Sequence, residues 1–148
     1  MHSRAIQLLG VSLACSLVLA ARAHAQGLTN DVKALEFGIP QSTLIISGNF
    51  LWTFSGGGGA TSSVQIDKVF KAPEGFQAPA EITVYWTTRK QHDHISVQKG
   101  TNTFLFFLRE EGKRGPTEYL DVTREVYPFI NASPENVRVL VAKLKEKR

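Results

Sequence analysis

The chain has 148 residues, with 17 lysines and arginines against 13 aspartates and glutamates, for a formal net charge of +4. This length excludes two full-sized domains, and a single cysteine excludes both a disulfide scaffold and a zinc site built from cysteines. The small positive charge argues against a nucleic-acid partner, which would require a strongly basic surface.

Residues 1–25 have the three parts of a secretory signal peptide. A positively charged start with Arg4 precedes an apolar run over 5–21, and Ala23 and Ala25 form an Ala-x-Ala end. We therefore expect cleavage after Ala25. The predicted location of the protein is the bacterial periplasm or the extracellular medium.

Two other interpretations of this segment stay open. A retained membrane anchor would use the same apolar run, which is marginal in length for a transmembrane helix. A lipoprotein would begin at Cys15, although apolar residues continue beyond that position. Cleavage removes the only cysteine and two arginines, so the remaining chain would be nearly neutral, stabilised by its core alone, and without stable membrane insertion.

Residues 26–42 form a lead-in with a short predicted helix. A polar residue at position 29 or 30 can cap the helix, which would continue through Glu36. Gly38 and Pro40 are expected to end it.

Residues 43–148 are predicted to form a single β-barrel domain. The clearest strand covers 43–54, where period-2 alternation puts Trp52 and Phe54 on the same face as Leu44. Gly48 in the middle of this strand suggests a bulge or a sharp bend.

Four more strands are predicted, and turn residues separate them. The run over 102–109 is continuously apolar, which predicts a strand covered on both faces. A bulge is expected near Lys68, and the loops are expected at 55–63 and 71–80. The four strands cover 64–70, 81–88, 102–109 and 117–126.

The C-terminal segment 133–147 is predicted to be a helix. Ser133 is a suitable N-cap, and Pro134 suits the first helical position. The predicted fold class is all-β, a five-stranded OB-like barrel with a C-terminal capping α-helix, while a generic small barrel or sandwich is the alternative. One helical face carries Val137, Leu140, Val141 and Leu144.

The order of the apolar landmarks resembles the netrin-like module over residues 43–126. These landmarks are Val-Phe-Lys at 69–71, Ile-Thr-Val-Tyr-Trp at 82–86, and Lys-Gly followed by Phe-Leu-Phe-Phe-Leu within 99–108. The module is an OB-fold barrel shared by tissue inhibitors of metalloproteinases, complement C-terminal domains and small exported bacterial proteins. The resemblance implies a non-enzymatic binding role. It does not imply metalloproteinase inhibition, because the N-terminal cysteine used for chelation is missing.

The sharpest chemical feature is the run His92, Asp93 and His94. On an extended segment the two imidazoles lie on the same side, with a carboxylate nearby, and can chelate zinc or copper. No third protein ligand is evident from the sequence, so an exposed polar turn is the alternative interpretation. No other cofactor is expected.

A binding surface is also predicted, built from aromatic, glycine and basic residues. The aromatic residues suit an OB-barrel face, the glycines a flexible hairpin loop, and the basic residues a weakly positive rim. No Gly-x-Ser-x-Gly motif occurs, and we do not expect an enzyme. This surface comprises Trp52, Gly57, Gly58, Trp86, Arg89 and Lys90.

The predicted function is an exported, non-enzymatic binding module with an unknown protein partner or an association with the cell envelope. The alternative is a periplasmic protein that binds a metal or a small ligand through His92 and His94.

Overall fold

The computed structural model describes residues 31–56, 58–87, 102–110, 115, 117–124 and 126–146. Six strands and two helices lie within these ranges. Helix α1 occupies 31–41 and is followed by β1 (Leu44–Gly56), β2 (Gly59–Lys71), β3 (Glu81–Thr87), β4 (Thr103–Glu110), β5 (Glu118–Asp121), β6 (Ile130–Asn131) and α2 (Pro134–Glu146).

Five of the strands close into a barrel. They are hydrogen-bonded in the order β1-β2-β3-β5-β4, and β4 pairs again with β1. The β3–β5 pair is parallel and the other pairs are antiparallel, while β6 adds to β4 outside the ring. The predicted OB-like barrel with a C-terminal helix is confirmed.

The pairing of the long strand β1 with β2 is irregular at Gly48. Its register with β2 shifts between Ser47 and Gly48, which confirms the bulges predicted near Gly48 and near Lys68. A Cβ atom at Gly48 would lie 2.5 Å from the carbonyl oxygen of Gln65. Glycine is therefore required at this position because the neighbouring backbone comes so close.

Two apolar cores share β1 and β4. Phe106 and Leu108 point into the barrel, whereas Leu105 and Phe107 point outward to the helices. All four side chains are buried, so the prediction that this strand is covered on both faces is confirmed. The outer core also includes Ala34, Leu35, Ile39, Ile45, Ile130 and Leu140.

Helix α1 continues past Gly38 and Pro40, where the sequence predicted it to end. A Cβ atom at Gly38 would lie 2.7 Å from both the Phe107 ring and the Thr123 methyl group. Gly38 thus allows close packing against β4 and does not end the helix. The Lys71 ammonium donates to the carbonyl of Ile39, at 3.1 Å, and also to that of Ser42, so it binds the helix end.

Helix α2 begins as the sequence predicted. The amide of Asn136 donates to Ser133 Oγ at 3.2 Å, which is the expected N-cap. Leu140 is buried, and Val139 joins the outer core in place of the predicted Val141. The Asn136 side chain donates to Asp31, at 2.9 Å, and thereby ties α2 to α1.

Two strand boundaries differ by several residues from the prediction, and one strand was not predicted. β2 begins at Gly59 and not at residue 64, because small residues pair with β1 as far as the turn. β5 ends at Asp121, where a turn replaces the second half of the predicted strand. The two-residue strand β6 was not predicted. None of the helices in the described ranges has both the length and the apolar character needed to cross a membrane.

Candidate binding surfaces

A one-residue bulge places Trp52 and Phe54 on the outside of the barrel. Phe50 pairs with Val64 and Trp52 pairs with Ser63, so Leu51 is the extra residue. A shift of one residue moves all following side chains to the other face of a strand. The prediction that these two aromatic residues share the face of Leu44 is therefore wrong.

Both rings are open to solvent, with Trp52 50% and Phe54 71% exposed. The outer faces of β2 and β3 continue the surface, because Phe54 pairs with Thr61, which in turn pairs with Tyr85. Ser63 and Thr83 lie on the neighbouring row. We call this surface the hairpin face, and its accessible residues are Trp52, Phe54, Thr61, Thr83 and Tyr85, while Ser63 is buried beneath it.

Hydrogen bonds hold the polar part of the hairpin face in place. The Tyr85 hydroxyl donates to Glu118 Oε1 at 3.1 Å, and the Ser63 hydroxyl donates to the Glu81 carboxylate. The first bond joins β3 to β5, and the second joins β2 to β3. The aromatic residues therefore project from a sheet whose strands are joined by side chains as well as by backbone pairing.

The glycine run forms a tight turn at the end of the hairpin. Gly56 pairs with Gly59, and Gly58 has a φ of +84°, a conformation that favours glycine. The flexible loop predicted over 55–63 is therefore wrong for the residues paired in β2. Gly57, the other glycine of the predicted surface, lies outside the described residues.

Trp86 does not belong to a surface. It is 2% exposed and lies inside the barrel, where its ring makes edge-on contacts with Phe50 and Phe129. The reason is the alternation of Ile82, Val84 and Trp86, which points all three side chains to the interior. The assignment of Trp86 to the binding surface is corrected accordingly.

Phe129 fills the interior beyond the short strand β5, a role that the sequence did not reveal. Its ring centroid lies 5.1 Å from those of Phe50 and Trp86. The guanidinium carbon of Arg124 lies 5.1 Å from the same ring centroid, in a cation–π contact. The only sequence signal was an aromatic residue just before the apolar Ile130.

A pocket of about 420 Å³ opens at the end of the barrel where β2 connects to β3. Glu110 at the end of β4 pairs with Tyr119 on β5, so their side chains share this opening. Burial, and then the negative charge of Glu110, raise the pKa of Tyr119. We call this site the acidic pocket, and it is lined by Pro73, Glu74, Gly75, Phe76, Gln77, Pro79, Glu110, Thr117 and Tyr119.

The rim of the acidic pocket is a tight turn. The amide of Phe76 donates to the carbonyl of Pro73 at 3.2 Å, and Gly75 has a φ of +76°. A positive φ at the third residue is the mark of a type II turn. The sequence predicted a loop here but no site, because Glu110 and Tyr119 join this loop only through the fold.

Asp121 is a buried carboxylate at the end of β5. Its Oδ1 accepts hydrogen bonds from the Thr123 amide (2.9 Å), the Thr123 hydroxyl (2.8 Å) and the Arg124 amide (3.1 Å). Among the described residues, its Oδ2 has no hydrogen-bond partner. Burial raises the pKa of Asp121 to about 6, although these hydrogen bonds and the Phe107 amide oppose the rise.

The predicted metal ligands His92, Asp93 and His94 lie outside the described residues, as do Arg89 and Lys90. Within the part of the chain that the structure describes, no group of three or more histidine, cysteine, aspartate or glutamate side chains is arranged to hold a metal ion. The metal site and the basic rim stay predictions.

A scan against models of known protein families finds no match for this chain, and neither does a search of curated proteins.

Proposed function

We propose that the protein is an exported, non-enzymatic binding module that docks a protein partner on its hairpin face. The observation that carries this proposal is the exposure of two large aromatic side chains, Trp52 and Phe54, on adjacent outward positions of one strand. Tryptophan and other aromatic residues are enriched at the centres of protein interfaces. The netrin-like resemblance supports the same class of function.

The gain from covering these rings is substantial. An aromatic side chain buries 150–250 Å², so removing the exposed part of each ring from water contributes about 2–3 kcal/mol. Neither ring needs a large ordering cost, because paired strands already fix the backbone on which they stand. The hydroxyl groups of Thr61 and Thr83 supply polar contacts around the rings.

The docking proposal can be tested with a photocrosslinking amino acid at position 54. We expect a specific crosslinked product with a protein from the cells that make this chain, and we expect Trp52→Ser to abolish it. A crosslinker at Glu146, which is exposed at the end of α2, is the matched control. Equal crosslinking at the two positions, or none at position 54, would contradict the proposal.

Export can be tested separately by the mass of the protein recovered from the producing cells. A chain that begins at Gln26 and is found in the periplasm or in the medium is the expected result. A membrane-bound chain that still begins at Met1 would instead support the retained anchor.

The alternative function, metal or small-ligand binding through His92 and His94, predicts a different result. Protein purified without a histidine tag would contain stoichiometric zinc or copper, and a variant with both histidines changed to alanine would lose it. The docking proposal predicts that the crosslink at position 54 is unchanged in this double variant and in the presence of a chelator.

A further inference from the structure

The acidic pocket lies at the opposite end of the barrel from the hairpin turn. Strand β2 runs from Gly59 at the turn to Lys71, and the pocket begins two residues later at Pro73. Trp52 and Phe54 pair with Ser63 and Thr61 near the turn, so substitutions of these two residues leave the pocket unchanged and allow the two surfaces to be tested independently. Thr83 is not suitable for this purpose, because its amide donates to the carbonyl of Thr117 in the pocket wall.

Aromatic and proline side chains form much of the pocket wall. Tyr119 is only 3% exposed, and Phe76 packs against the core inside the barrel, so both rings are held by the interior. Pro73 and Pro79 stiffen the loop that carries Phe76. These residues line an open cavity of about 420 Å³, a volume usual for sites of small organic ligands.

The described residues that line the pocket carry a net negative charge. Glu74 and Glu110 line it, and none of its described lining residues is a lysine or an arginine. The nearby Lys71 is used elsewhere, because its ammonium group donates to the carbonyls of Ile39 and Ser42. Glu110 pairs with Tyr119 across β4 and β5, so this charge lies beside the aromatic wall.

We propose that the acidic pocket binds an organic cation, a protonated or quaternary alkylammonium group that contacts Phe76 and Tyr119 while Glu74 and Glu110 supply the counter-charge. Aromatic rings attract such cations, and carboxylates at the rim add to the attraction. A bare metal ion prefers several oxygen ligands around it, and among the described residues no three histidine, cysteine, aspartate or glutamate side chains are grouped to hold one. A neutral apolar ligand would gain nothing from the two carboxylates.

The same group can come from a free amine or from a lysine side chain of a protein. The test begins with choline and its neutral isostere 3,3-dimethylbutan-1-ol, titrated into the purified protein while the amide signals of Gly75 and Phe76 are followed by NMR. Choline is expected to give saturable shifts, and the isostere is expected to bind at least about fivefold more weakly. A lysine-containing peptide and free butylamine are then titrated to distinguish the two sources. Tighter binding of the peptide indicates a lysine side chain of a protein as the ligand, and tighter binding of butylamine indicates a free amine.

Glu110→Gln removes one carboxylate and preserves the shape of the side chain. Since Glu110 is exposed, we expect the variant to fold normally and to bind choline about threefold more weakly. Glu146→Gln, which removes an exposed carboxylate from the end of α2, is the matched control and should leave the affinity unchanged. Phe76→Leu tests the aromatic wall and should weaken choline binding while leaving the affinity for the isostere nearly constant.

Three results would overturn the proposal. They are the absence of saturable shifts with choline, equal affinities for choline and for the isostere, and equal losses in Glu110→Gln and Glu146→Gln. Trp52→Ser is expected to bind choline as the unchanged protein does. A failure of docking on the hairpin face would therefore not contradict the cation site. A failure of choline binding would likewise not contradict docking on the hairpin face.

Discussion

Asp121 shows how one side chain can control the response of a fold to pH. Its carboxylate organises the turn after β5 by accepting three hydrogen bonds through a single oxygen, while the other oxygen is buried without a partner among the described residues. The charged form has thus lost more hydration than its hydrogen bonds replace.

The raised pKa of Asp121, about 6 against an ordinary value of 3.8, makes a prediction about stability. Between these two values the folded chain holds a proton that the unfolded chain releases, so stability falls as the pH rises from about 4 to about 6. The contribution of this one group is a loss of about 2–3 kcal/mol.

Urea unfolding at pH values across this range would measure the fall. Other groups also titrate there, so the decisive comparison is with Asp121→Asn, which has no proton to lose. We expect the difference in unfolding free energy between the two proteins to change across the window. Parallel curves would show that Asp121 has an ordinary pKa in the folded chain.

At the scale of the element, the bulge at Leu51 determines which side chains of β1 are exposed to solvent. Before the bulge, Phe50 points into the barrel; after it, Trp52 and Phe54 point outward. The two tryptophans of the chain consequently have opposite environments, since Trp86 is enclosed within the barrel.

Acrylamide quenching of fluorescence tests this arrangement. We expect two classes of emission in the unchanged protein, one quenched readily and one protected. Trp52→Phe should remove the quenched class, and Trp86→Phe should remove the protected class. If both single-tryptophan variants were quenched to the same extent, Trp52 and Trp86 would not differ in exposure as the structure shows.

How much of each element the sequence could predict depends on where its determining contacts lie. The continuous apolar run of β4 and the cap at Ser133 are local signals. Both the covered strand and the helix start that they predict are confirmed. The predicted end of α1 is wrong, because the glycine at position 38 is needed for close packing against Phe107, a residue distant in the chain. The alternating pattern of β1 continues through Leu51, so the local sequence contains no signal for the bulge.

The acidic pocket illustrates the same limit for a site. Its rim turn at Gly75 is recognisable as a loop from proline and glycine, but Glu110 belongs to a different strand. Only the closure of the barrel brings these residues together. Trp86 shows the opposite case, because a local signal existed: it alternates with Ile82 and Val84, and all three side chains are buried in the barrel. The prediction of a surface position for Trp86 did not use that signal.

At the scale of the whole molecule, β1 and β4 belong to both cores, so the barrel and the two helices are expected to unfold together. Leu140→Ala removes a fully buried side chain of α2 from the outer core and should cost about 2–5 kcal/mol. The inner core should be destabilised by the same substitution, even though no atom inside the barrel is changed.

This prediction can be checked with two probes in one denaturant titration. Circular dichroism follows the helices, and the fluorescence of Trp86 in a Trp52→Phe background follows the barrel interior. We expect coincident transitions that move together in Leu140→Ala, as for a two-state domain. Separate midpoints would show that the helices unfold from a barrel that persists.

The position of Phe129 has a consequence for the order in which the domain is built. The ring that fills the barrel beside Phe50 arrives only after every barrel strand has been synthesised. A nascent chain that stops before Phe129 lacks this ring, and a closure that depends on contacts so distant in sequence is slow. For the export that we propose, which requires an unfolded chain, this dependence on Phe129 would delay closure of the barrel until most of the chain has been synthesised.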